Sequence, residues 1–159
     1  MPLLIRAATA DDVPLILEFI RALADYEKLS HECEATEAQL RANLFPPAGA
    51  PCAHCVLAFD GATPAGFALY FFNFSTFLAR PSLYLEDLFV KPEYRGRGIG
   101  KALLLHLARL ANARGCGRME WSVLDWNQPA IDFYESLGAR RMKDWQLCRL
   151  TGAALQQYA

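Results

Sequence analysis

Glu86 and Asp87 stand side by side inside the otherwise apolar run Leu83–Val90. A carboxylate is costly to bury unless it is paired or wet, so acids within a strand mark the border of a cleft. An edge strand whose acids are solvated or paired with arginine is the plain alternative. Neighbouring residues of a regular strand point to opposite faces, which would keep the two carboxylates on different sides. The chain continues as VKPEYRGRGIGK over Val90–Lys101. Gly96, Gly98 and Gly100 remove side-chain bulk from a turn that leads into a helix, while Arg95, Arg97 and Lys101 charge it positively. Amides at a helix N-terminus, backed by the helix dipole, hold anions, so the chemistry available here is binding of a phosphate or pyrophosphate. Further on, Asn127 fits a helix N-cap with Pro129 in the first turn. Tyr134 follows two turns later and, taken alone, reads as a core aromatic.

Two nucleotide loops fail against this turn. A P-loop needs glycine five positions before its Gly-Lys pair and a hydroxyl residue after it; Arg95 and Ala102 occupy those places. A dinucleotide-binding Gly-x-Gly-x-x-Gly would need a third glycine where Lys101 or Leu103 stands. A tight strand-to-helix connection that uses glycine for its geometry alone is the plain alternative.

The elements that must position these groups follow from spacing. Leu3–Arg6 reads as a strand, and apolar residues at helical intervals from Asp12 to Tyr26 predict a helix. Thr36 opens a second helix that ends before Pro46. Cys55–Phe59 and Ala65–Phe74 read as strands joined by a turn around Asp60–Pro64, and Leu83–Val90 as a third long strand. Ile99–Arg114 is an amphipathic helix closed by Gly115. Met119–Leu124 is a strand, Pro129–Leu137 a short helix, and Trp145–Leu150 a final strand. The expected fold is α/β, a mixed central sheet flanked by helices, in a single domain spanning 1–159.

Composition narrows the class. The chain has 159 residues, more than half hydrophobic, which suits one domain with a substantial core. A formal charge of −1 argues against bulk nucleic-acid binding. No apolar run is long enough to cross a bilayer, and the N-terminus lacks a signal-peptide layout, so the expectation is no membrane and a cytoplasmic location. The five cysteines suit reduced thiols. Cys52-Ala-His-Cys55 matches half of a zinc site, but no second pair follows, and no metal is expected.

Together, Arg95-Gly96-Arg97-Gly98-Ile99-Gly100, Asn127 and Phe133-Tyr134 followed by Gly138-Ala139 resemble the GNAT superfamily of acyl-CoA N-acyltransferases. Within it, Ile5-Arg6, Tyr26-Glu27, Tyr84-Leu85-Glu86-Asp87 and Trp126-Asn127 are similar to the diamine (spermidine/spermine) N-acetyltransferase family. The resemblance implies splayed strands forming an acetyl-CoA cleft. In that cleft residues Arg95, Gly96, Arg97, Gly98, Ile99, Gly100 and Lys101 hold the pyrophosphate. The backbone of Leu88, Phe89 and Val90 runs beside the pantetheine arm, and Asn127 and Ala130 line its thiol end. It further implies Tyr134 as general acid, Glu86 as a catalytic carboxylate, and Tyr26, Glu27, Glu86, Asp87 and Asp144 around a small amine acceptor. A homodimer is implied in the same way.

The family's polyamine groove has an acid and a tryptophan just after the aromatic strand. This chain has Ser75-Thr76-Phe77 there. Losing one carboxylate removes a contact for a distal ammonium, so a small diamine or a lysine-like amino acid such as thialysine is as fitting an acceptor as a polyamine. Acetylation of a protein N-terminus or lysine, or a CoA-binding module without turnover, are the alternatives.

Overall fold

A computed structural model describes residues 2–159, which form two compact units, one ending at Ser122 and one comprising 123–159. The first unit is built on a five-stranded sheet in the order β1 to β5. Its strands are β1 (Leu3–Ala7), β2 (His54–Asp60), β3 (Thr63–Ser75), β4 (Arg80–Val90) and β5 (Arg118–Trp121). The first four are antiparallel neighbours, whereas β4 and β5 run parallel. A parallel pair needs a crossover, and helix α3 (Ile99–Ala113) supplies it. The mixed α/β fold expected from the spacing is the fold observed.

Helices α1 (Val13–Tyr26) and α2 (Glu37–Leu44) cover one face of the sheet. Ile16, Phe19 and Leu23 of α1 and Leu44 of α2 pack with Leu57, Phe67, Leu69 and Phe89. Phe19 stacks on Phe67 with centroids 5.3 Å apart and meets Phe89 edge-on. The other face belongs to α3: a Cβ added at Gly100 would lie 3.7 Å from a Val90 methyl. Phe89 and Val90 are consecutive, so they mark the two faces at this point of β4.

The second unit carries α4 (Gln128–Ser136) and a five-residue helix α5 (Gly152–Gln156). Trp145–Leu150, expected as a final strand, is not one. Trp145, Leu147 and Leu150 are 79%, 80% and 58% exposed, and the segment has no ladder partner among the described residues. Alternation of apolar residues specifies a face, but a strand also needs a neighbour to satisfy its backbone. β5 likewise ends at Trp121, short of the expected Leu124.

Candidate active site

The strand bearing the two acids is not regular. Tyr70 of β3 faces Leu85 and Leu69 faces Asp87, so Glu86 is an extra residue, a β-bulge. Before the bulge, Tyr84 packs on Phe71 and Leu85 is buried on the opposite face. Beyond it, Asp87 pairs with Leu69, a member of the core under α1. The inserted residue therefore resets the alternation and turns Glu86 and Asp87 toward the same side. This corrects the expectation that the carboxylates must face apart, which holds only for an uninterrupted pleat.

That side also receives Glu27, the C-cap of α1. Burial, then Glu86, then Glu27 push the Asp87 carboxyl up to about 7, and burial raises Glu27 as well. Helix α1 stops there by a Schellman closure. The Lys28 amide donates to the Asp25 carbonyl at 3.0 Å and the Leu29 amide to the Ala24 carbonyl at 2.8 Å. Lys28 adopts φ 63°, a left-handed conformation unfavourable for a side chain bearing Cβ. Helix end and bulge thus gather three acids, with Tyr26 beside them.

The bulge also coincides with the end of sheet pairing. β5 follows β4 only from Ser82 to Leu85, so among the described residues Glu86–Val90 has a strand partner on one side alone. A linear polar chain can lie along such an edge as an added strand does. On the paired side the strands approach closely: a Cβ at Gly66 would fall 2.6 Å from the Phe89 carbonyl oxygen.

At the end of β4 a short 3-10 turn, Pro92–Tyr94, leads into the glycine segment. Gly96 and Gly98 have φ of 72° and 81°, and a side chain at either would meet nothing within 4 Å. Glycine is required there for the backbone conformation, not for packing. Gly98 caps α3 in the left-handed region, leaving the amides of Ile99, Gly100 and Lys101 in the first helical turn, which has no intrahelical acceptors. The open turn and its unspent amides fit a pyrophosphate. The charges are less free than the motif suggests. Arg97 is paired with Asp60 at 2.7 Å. The Arg95 guanidinium lies 4.7 Å from the Tyr26 ring centroid, and its Nε donates to the Val90 carbonyl at 2.9 Å. Sequence reasoning missed both the Asp60 and the Tyr26 contact, since pairs 37 and 69 residues apart in the chain leave no periodic trace.

In the second unit Asn127 is the N-cap of α4; its side-chain oxygen accepts from the Ala130 amide at 3.4 Å. Ala130 and Tyr134 follow on the helix, with Tyr134 tilted against Phe133 at 5.3 Å. Asp144 lies in an exposed turn beyond α4. Ser75–Arg80, the stretch that departs from the polyamine pattern, forms the β3–β4 hairpin tip. There Ser75 Oγ accepts from the Leu78 amide and Phe77 is fully exposed.

The site thus combines a strand bulge, where β4–β5 pairing stops, with a glycine turn that opens a helix. The sequence profile of the Acetyltransferase (GNAT) family matches residues 18–139. Thialysine N-epsilon-acetyltransferase from Sus scrofa is 41% identical, the alignment covering 98% of this chain and 96% of the relative. L-ornithine N5-acetyltransferase from Arabidopsis thaliana is 38% identical over 96% of this chain and 86% of its own. Among solved structures, an integron cassette protein from the mobile metagenome of V. cholerae superposes with a TM-score of 0.82 at 26% identity, covering 99% of this chain and 98% of that one. The chain belongs to the GNAT acetyltransferase family. It is an acetyltransferase.

Proposed function

We propose that residues 1–159 form one N-acetyltransferase domain that moves the acetyl group of acetyl-CoA to the primary amine of a small diamine, polyamine or lysine-like amino acid. The observation that carries this reading is the bulge at Glu86, which turns two carboxylates toward Glu27 on the same strand that feeds the glycine turn. Relatives named for thialysine and ornithine, amino acids with a side-chain amine, favour the lysine-like acceptors.

Acetyl-CoA supplies an activated acyl carbon on a thiol leaving group. In this reading the amides from Gly96 to Lys101 hold its pyrophosphate, Leu88–Val90 run beside the pantetheine arm, and Asn127 and Ala130 line the thiol end. Glu27, Glu86 and Asp87 attract the acceptor ammonium. An alkyl ammonium of pKa about 10.4 gives its proton to an ordinary carboxylate at a cost of about 9 kcal/mol. A carboxyl poised at about 7 lowers this to about 4.6 kcal/mol. Glu86 and Asp87 accept that proton through water, and the neutral nitrogen forms the new bond to the acyl carbon as the carbon–sulfur bond breaks. Tyr134 donates its phenolic proton to the departing sulfur, which leaves as the thiol. No metal is needed. The protein works in the cytoplasm and as a homodimer in this reading.

The test is thiol release from acetyl-CoA across diamines, polyamines, lysine-like amino acids and peptides. Turnover should be fastest with a lysine-like amino acid or short diamine. Coenzyme A binding without release on any acceptor would end the proposal.

A further inference from the structure

The glycine signature counts Arg95 among the groups that serve the phosphate turn, yet its side chain is engaged elsewhere. Its guanidinium carbon sits 4.7 Å from the centroid of Tyr26 and 5.5 Å from that of Phe89. Its Nε donates to the Val90 carbonyl at 2.9 Å. A planar cation over an aromatic ring, with its edge tethered to the backbone, is a directed contact that lysine cannot reproduce. Tyr26 is the last residue of α1, and Glu27 is its cap. The chain beyond is held by the closure through Lys28, so the orientation of Tyr26 and that of Glu27 are linked over a single peptide. At its other end Arg95 directly precedes Gly96, the first glycine of the turn. One side chain therefore joins the phosphate turn to the helix end that carries an acceptor carboxylate.

We propose that Arg95 is a positioning residue that fastens the end of α1 to the glycine turn, so that coenzyme A on the turn steadies Tyr26 and Glu27 at the acceptor side. The inference rests on the acetyl-transfer reading for its kinetic readout alone. When the turn is mobile, Arg95 moves with it and the contact to Tyr26 is intermittent. When a pyrophosphate orders the turn, Arg95 becomes a fixed partner and the helix end frays less. The acceptor site is thereby completed after the donor is in place.

The experiment is amide hydrogen exchange with and without coenzyme A on the full chain, wild type, Arg95→Gln, Tyr26→Leu and Tyr26→Phe. In the wild type, coenzyme A should slow exchange at residues 96–103 and also at residues 24–30. The second effect should be about two- to fivefold, the size expected of an exposed cation–π contact. Tyr26→Phe keeps the ring and should keep the remote protection. Tyr26→Leu and Arg95→Gln should lose it, and because coupling between two sites is reciprocal, Tyr26→Leu should weaken coenzyme A binding by no more than the same two- to fivefold. The Michaelis constant for the amine should rise about two- to fivefold in Tyr26→Leu at saturating acetyl-CoA, with little change in kcat. Remote protection that survives in Tyr26→Leu, or that is absent from the wild type, overturns the inference. An effect of Arg95→Gln confined to coenzyme A affinity overturns it too, and makes Arg95 a plain phosphate ligand. Wild-type remote protection without acetyl transfer to any amine would instead defeat the functional reading and leave the coupling standing.

Discussion

Replacing Asp87 by asparagine keeps the shape of the side chain and removes its titration. In the wild type, burial and the neighbouring Glu86 and Glu27 push this carboxyl from 3.8 to about 7. The folded state thus keeps a proton that the unfolded chain has released between about pH 4 and pH 7. Where the folded state binds more protons, stability falls as pH rises, so wild type should weaken through this window and level off above it. The full displacement corresponds to about 4 kcal/mol, of which about 2.5 kcal/mol falls between pH 5 and pH 8. The asparagine variant has no such dependence. Urea unfolding of both proteins at pH 5 and pH 8 isolates the effect, because the other titrating groups largely cancel in the difference. Asp87→Asn should gain about 2.5 kcal/mol on wild type between the two pH values. The same substitution should lower kcat/KM for the amine about 100-fold or more and abolish the rise of that quantity through neutral pH. A stability difference that is the same at pH 5 and pH 8 would refute the burial argument. An unchanged pH–rate profile would remove Asp87 from proton transfer.

Other outcomes follow from the same geometry. Tyr134→Phe should lower kcat by about 100-fold or more while the dissociation constant of coenzyme A, measured by calorimetry, stays within about twofold. Gly98→Ala forces a Cβ into the left-handed region at φ 81° and should cost about 1–2 kcal/mol in thermal unfolding, along with much of the coenzyme affinity. Lys28→Gly relieves the same strain at the end of α1 and should stabilise the protein by about 1 kcal/mol, read as a raised midpoint in urea.

Much of the scaffold could be read without coordinates. The helical stripe from Val13 to Tyr26, the turn at Asp60–Pro64 and the glycines before α3 each rest on interactions within a few residues. So does Asn127, whose side chain caps α4 through an amide three residues on. Trp145–Leu150 misled because its alternation is a property of the segment alone, while a strand is a property of a pair. The bulge at Glu86 was invisible for a related reason: an extra residue in one strand is defined only against its partner, here Leu69 and Tyr70.

The sequence by itself determined the backbone of the turn proposed to hold the donor. The order of strand, glycine turn and helix leaves backbone amides free of intrahelical acceptors, and local spacing specifies backbone. What only the tertiary structure decided is how the charges are spent. Arg97 is drawn to Asp60 and Arg95 to Tyr26, and a bulge turns Asp87 under the field of Glu86 and Glu27. Those outcomes depend on distances between elements remote in the chain, and electrostatic strength follows distance and burial, neither of which is written in residue order.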